Sequence, residues 1–218
     1  MTTETPSKIG VIICSQRKVR AGPEIAAFVH QTLESHPTPV TRSGQSSVQP
    51  PPSLTLIDLE DWKLPLFDET TVPSQIKDPA HYDHDHTAAW SAEISRYDAF
   101  VFVTPQYNWG YPASIKNAID FLFHEWKGKP AMIVSYGGHG GGKAAGQLRE
   151  VLQGVGMKPT VKMPGLTFPG REFTVKAAKG GPLGLPAGDE DGVWSDQREV
   201  ITEAYAELLE LLAESAGV

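Results

Sequence analysis

The 218-residue chain is 40% hydrophobic and 21% charged, an ordinary composition for a globular protein with one sizeable core. A formal charge of −7 excludes a broad surface for nucleic acid or anionic membrane, so any anionic ligand must be gripped locally. The single cysteine, Cys14, excludes an internal disulfide or multi-cysteine zinc site and agrees with a reducing compartment.

Met1 to Ser7 reads as a short disordered polar tail without an apolar h-region, and no apolar run approaches the roughly 20 residues of a membrane span. This predicts a cytoplasmic protein. Lys8 to Cys14 is a short apolar run that suits a central strand, and Ser15 to Gly22 is a polar, basic turn. Pro23 opens a helix to about Ser35 through Ile25, Ala26, Val29 and Leu33. Residues 36–53, rich in Pro, Ser and Thr, read as a surface insertion.

Leu54 to Asp58 follows as a second strand, then a long irregular connection, then a helix capped by Thr87 and running to about Tyr97 with Ala88, Ala89, Ala92 and Ile94 available for packing. Ala99 to Val103 is bulky and apolar without alternation, as in a strand buried on both faces. Pro112 then starts a helix whose stripe is Ile115, Ala118, Ile119 and Leu122. Pro130 to Ser135 is a fourth strand, followed by the glycine-rich turn from Tyr136 to Lys143 and a helix marked by Leu148, Val151, Leu152 and Val155. Thr160 to Met163 is the fifth strand. The glycine- and proline-dense stretch 164–194 reads as a second insertion, of a length usually functional or disordered. Ser195 to Glu214 is an amphipathic helix through Val200, Ala204, Leu208 and Leu211 or Leu212.

Five strands alternating with five helices imply an α/β three-layer sandwich with a five-stranded parallel sheet, most simply in the flavodoxin-like order 2-1-3-4-5. Residues 8–218 then form a single domain carrying both insertions. In that order the turns after strands one, three and four border one crevice. The first offers Ser15, Arg17, Lys18, Arg20 and free N–H groups at a helix start, which suit a phosphate. Each charged hydrogen bond is worth about 1.5–3 kcal/mol against ~0.3–1 kcal/mol for the helix terminus, so the arginines should dominate. The second offers Tyr107 and Trp109 for stacking, and Gln106 and Asn108, whose amides both donate and accept, around a flat heteroaromatic ligand. Backbone donors at Gly137 and Gly138 can approach such a ring closely.

The turns S-Q-R-K-V-R, T-P-Q-Y-N-W-G-Y-P-A-S-I-K-N-A-I-D and S-Y-G-G-H-G-G resemble those of the NAD(P)H-dependent FMN reductase family, particularly its fungal quinone-reductase-like branch, from Lys8 to about Leu166. The resemblance implies a flavodoxin-like fold, noncovalent FMN, a homodimer or tetramer, and two-electron transfer from NADH or NADPH to free flavin, quinones or similar acceptors by a ping-pong cycle. By position, Ser15 and Arg17 would hold the phosphate, with Arg20 replacing a hydroxyl that many members carry. Pro105, Gln106, Tyr107 and Asn108 would line the ring, with Gly137 and Gly138 at its pyrimidine edge, and Trp109 and Tyr136 in the same turns are further cofactor-binding candidates. No side chain would be catalytic, because the chemistry belongs to the cofactor.

Three rivals compete. One is a flavin-binding electron carrier or switch without turnover. Another is a phosphatase, since Cys14 to Arg20 fits C-x5-R, though Ala21 stands where a hydroxyl should assist and Cys14 closes an apolar run. Gly137 to Ala144 misses a P-loop by the hydroxyl absent from Ala144. His81, His84 and His86 with Asp83 and Asp85 read as a polar loop, or a flap near the ligand, rather than a metal site. Trp62, Trp90, Trp126 and Trp194 are expected in the core or an interface.

Overall fold

The computed structural model describes residues 6–35, 50–186 and 191–216. Most of the expected N-terminal tail and of the first insertion lies outside them. In chain order the elements are β1 (Lys8–Ile13), α1 (Gly22–Ser35), β2 (Ser53–Asp58), α2 (Leu59–Trp62), α3 (Asp85–Ser95), β3 (Ala99–Pro105), α4 (Ala113–Asp120), β4 (Pro130–Gly137), α5 (Gly142–Gly154), β5 (Lys158–Pro159), β6 (Gly165–Thr167), α6 (Arg171–Lys179) and α7 (Gln197–Ala216). All strand pairings are parallel, and the sheet runs β2-β1-β3-β4-β5 as expected.

β3 is buried along its whole length because successive side chains point to opposite faces and helices cover both. Val101 and Val103 join Val11 and Val134 under α1 and α7, while Phe100 and Phe102 join Ile12 and Ile133 under α3, α4 and α5. The expected stripe of α4 is buried throughout, Leu122 lying just past the helix end. Trp90 and Trp126 are wholly buried with Trp62 packed beside them, and Trp90 donates its indole N–H to the Ala118 carbonyl at 2.8 Å. Trp194 belongs to the opposite core.

Several expectations are corrected. Helix α3 begins at Asp85 with His84 as its N-cap, so Thr87 sits inside it, buried; Thr87, Trp90, Ser91 and Ile94 face the core while Ala89 and Ala92 face water. Burying one indole outweighs burying two methyl groups and sets the rotation of the helix. In α7 the buried stripe is Ile201, Ala204, Tyr205 and Leu208, and Val200 is exposed.

The fifth strand is split. Lys158–Pro159 pairs with the start of β4 and Gly165–Thr167 with its end, whereas residues 160–163 are not a strand. Pro159 and Pro164 cannot donate to a ladder, and the amides of Val161 and Lys162 go to the Glu207 carboxylate on α7 at 2.5 and 3.2 Å. Residues 164–194 are no structureless connection: they carry β6 and the nine-residue α6. Among the described residues no helix is long and apolar enough to cross a membrane.

At the opposite pole, Lys129 donates to the Ile94 carbonyl at 2.9 Å beside the Phe100 ring. Burial pushes its pKa down to about 8 from 10.5, against the opposing pull of Asp98 and Glu125. Below pH 8 both folded and unfolded states hold the proton; between 8 and 10.5 only the unfolded state does, so stability from this group rises with pH across that window. Urea titrations of wild type and Lys129→Met should show wild type gaining on the variant from pH 8 upward. Parallel pH curves would contradict this.

Candidate active site

The β1–α1 turn is folded against β2 by Arg20. Its guanidinium makes a two-pronged bond to the Asp58 carboxylate at 2.8 and 2.7 Å and a third bond to the Ser15 carbonyl at 2.8 Å. Both side chains are largely buried, and the paired carboxylate raises the Arg20 pKa. Ser15 is fully buried below the start of α1, where Gly22 passes so close that an added methyl group would run into the Ser15 hydroxyl. Arg17 instead reaches outward. Its Nε donates to the Val19 carbonyl at 2.7 Å, one terminal nitrogen donates to the Ala178 carbonyl on α6 at 3.3 Å, and its guanidinium carbon lies 6.0 Å from the Tyr107 ring centre. Lys18 is exposed.

The β3–α4 turn is tight. Tyr107 and Gly110 exchange backbone hydrogen bonds at 2.9 and 3.0 Å, and Asn108 and Trp109 between them have φ of 47° and 69°. Asn tolerates this left-handed region, whereas an indole side chain there stores strain on the order of 1–3 kcal/mol. Trp109 is thereby held 64% exposed, stacked on His139 with centroids 6.1 Å apart. Gln106 is committed: its side-chain oxygen accepts from the amides of Lys143 and Ala144 at 3.1 and 3.4 Å, capping α5. Ser114 ties this loop to the first by donating to the Cys14 carbonyl at 2.6 Å.

After β4 the chain turns through Gly137 to Gly141. Gly141, at φ 79°, lies against Ser135 and the Tyr136 backbone, where a side chain would collide. Burial pushes the Tyr136 phenol well above its ordinary pKa, partly offset by the Ser15 hydroxyl, so it stays protonated as a donor. Burial likewise raises that of Tyr107, against the lowering effect of Arg17 and Arg20.

These turns enclose a cavity of about 230 Å³. Its lining joins Arg17 and Ala21 from the first turn, Pro105, Gln106 and Tyr107 from the second, and Tyr136, Gly137 and Gly138 from the third. One wall was not expected: Phe168, Thr174, Ala177 and Ala178, from β6's end and α6, close it. The signal for that helix was present in R-E-F-T-V-K-A-A-K, with Phe173 and Ala177 four apart and Gly180 as a left-handed stop. Ser15, Arg20, Asn108 and Trp109 do not line the cavity.

Comparison with known proteins decides the class. Residues 7–165 match the family model described as NADPH-dependent FMN reductase. The chain belongs to this family. It is 45% identical over 168 residues to the NAD(P)H-dependent FMN reductase LOT6 of Saccharomyces cerevisiae, covering 74% of this chain and 84% of that one. To the NAD(P)H-dependent FMN reductase ntnL of a Nectria species it is 34% identical over 209 residues, covering 94% of this chain and 97% of that one. More distant matches are named quinone reductase and NADPH:quinone oxidoreductase. The solved structure of the flavoenzyme FerB from Paracoccus denitrificans shares the fold, with a TM-score of 0.62, 19% identity and coverage of 96% and 98%.

The NADPH-dependent FMN reductase family comprises oxidoreductases that use FMN with NAD(P)H as donor. The cavity fits that cofactor in chemistry: its lining combines a cation, the residue leading into a helix, aromatic rings and glycine backbone. Its volume lies just under the roughly 300–1,000 Å³ usual for ligand pockets. The phosphatase reading fails, because Cys14 is fully buried with its thiol pKa pushed far up by desolvation, and Arg20 is occupied by Asp58. His84 pairs with Asp68 at 3.2 Å and meets His86 edge to face, and neither histidine lines the cavity; among the described residues no group of three or more His, Cys, Asp or Glu could hold a metal.

Because Arg20 fastens two loops together, Arg20→Ala should cost about 3 kcal/mol of unfolding free energy in the cofactor-free protein by leaving the Asp58 carboxylate unpaired. A denaturant titration matching wild type would mean that the pair does not bear this load.

Proposed function

We propose that this protein holds FMN noncovalently in the cavity between the first, second and third turns and passes two electrons in a ping-pong cycle from NAD(P)H to a quinone, free flavin or similar small acceptor. The observation that carries this reading is the meeting of Arg17, Tyr107, Tyr136 and the Gly137–Gly138 backbone in one cavity at the point where strand order reverses.

Arg17 is the residue for the phosphate, with the α1 start behind it and the buried Ser15 shaping the turn from below. Arg20 supports this turn through Asp58 instead of touching the phosphate. Pro105 and Tyr107 flank the ring, with Gln106 and Asn108 setting the shape of the turn. The amides of Gly137 and Gly138 serve as neutral donors at its polar edge, and Tyr136 closes the floor as a protonated phenol. Bound FMN supplies the two-electron exchange between donor and acceptor. The chain orients both reactants over one face and excludes water beneath it. A cytoplasmic homodimer or tetramer without nucleic-acid or membrane partners completes the reading, and the −7 charge supports its last part.

The purified protein should be yellow, be bleached by NADPH or NADH without oxygen, and regain colour on adding a quinone. A coloured protein that neither nucleotide bleaches would instead identify a carrier. Arg17→Ala should raise the dissociation constant for FMN by about 10- to 100-fold, the worth of one or two charge-assisted hydrogen bonds. Unchanged affinity would locate the phosphate elsewhere.

A further inference from the structure

The far pole of the sheet, where β1, β3 and β4 begin, holds a second cavity of about 620 Å³, well inside the roughly 300–1,000 Å³ usual for ligand pockets. Its lining brings together Lys8, Arg96, Lys127 and Lys129, with Asp98 as the one carboxylate and Leu212 as an apolar wall. In a chain of net charge −7 such a concentration of cations is local. Part of it answers the fold. Helices end where parallel strands begin, and a helix end carries about half a unit of negative charge. Helix α3 stops at Ser95 beside Arg96, and α7 reaches the cavity at Leu212 and Ser215. Those two ends and Asp98 offset about two of the four cations, and Glu93, bonded to Arg96 at 2.8 Å, offsets a third. The excess rests on the lysines: among the described residues Lys8, Lys127 and Lys129 form no ion pair.

Lys129 is the least satisfied of them. Its half-buried ammonium lies 5.5 Å from the Phe100 ring centre and gives one of its protons to the Ile94 carbonyl at 2.9 Å. The Asp98 carboxylate accepts instead from the Lys8 backbone amide at 2.8 Å. Burial lowers the Lys129 pKa to about 8, so the fold holds a cation out of water at a cost that a bound anion would offset.

We propose that this cavity binds a small phosphate ester, its dianionic head on Lys129 and Lys127 and its organic body against Leu212, with Lys8 and Arg96 adding to the field. Point charges from separate segments suit a tetrahedral group with several equivalent oxygens, whereas a planar carboxylate pairs best with one guanidinium fork. The site stands at the opposite end of the strands from the cavity between the turns and does not depend on the FMN reading.

Titration calorimetry with phenyl phosphate and with inorganic phosphate, at an ionic strength matched with chloride, tests this in FMN-loaded protein and in the Arg17→Ala variant, so that the turn after β1 is filled in one and weakened in the other. Both probes should bind at one site in each protein, without displacing FMN. Lys129→Met should weaken them at least tenfold, the worth of one charge-assisted hydrogen bond. Lys127→Gln, a change at an exposed side chain, should weaken them severalfold. Phenyl phosphate should bind more tightly than inorganic phosphate; equal affinities would overturn the part given to Leu212 and leave phosphate itself as the ligand. Acetic anhydride at pH 8 should acetylate Lys129, and either probe should protect it, as read from peptide masses. Binding no stronger than that of chloride, or affinity unchanged in Lys127→Gln together with an unprotected Lys129 in wild type, would overturn the site even if Lys129→Met failed to fold.

Discussion

Everything at the site depends on β1, β3 and β4 ending side by side with their loops held in step by hydrogen bonds that continue beyond the ladder. The Cys14 amide reaches the Val103 carbonyl at 3.0 Å and the Gln106 amide the Tyr136 carbonyl at 3.1 Å, so each loop leaves the sheet already tied to its neighbour. Ser114 and Gln106 then add side-chain ties between separate loops. Loops fixed by backbone bonds to a doubly buried sheet cannot drift, and a cofactor site needs that constancy more than it needs any one side chain.

This constraint explains how the polar residues divide their work. Of the two arginines in the first turn, Arg20 is turned inward to a largely buried carboxylate and spends its donors on structure, leaving Arg17 to line the cavity. Gln106 similarly gives its oxygen to the α5 start, which would otherwise have two unmet amides. Residue types that look equivalent in a list are made different by what lies behind them.

The sheet order and most helices were legible because buried strands and amphipathic helices write their period into the sequence: Ala99 to Val103 and the Ile115 to Leu122 stripe could hardly be anything else. The turns that line the cavity were legible as motifs. What the sequence hid was long-range. Nothing local to Arg20 announces Asp58, 38 residues away. Nothing in Thr160 to Met163 announces that Glu207 of α7 will take its amides and break the strand. Glycine and proline in 164–194 drew attention away from a short helix whose own spacing was regular, because average composition over a long window outweighed nine residues of pattern.

The left-handed turn at Asn108 and Trp109 has an optical consequence. Trp90, Trp126 and Trp194 are buried and Trp62 is partly so, whereas Trp109 stands 64% in water in the turn after β3. Its emission, shifted to longer wavelength than that of the buried indoles, makes this residue a native reporter on the turn after β3 without any attached dye.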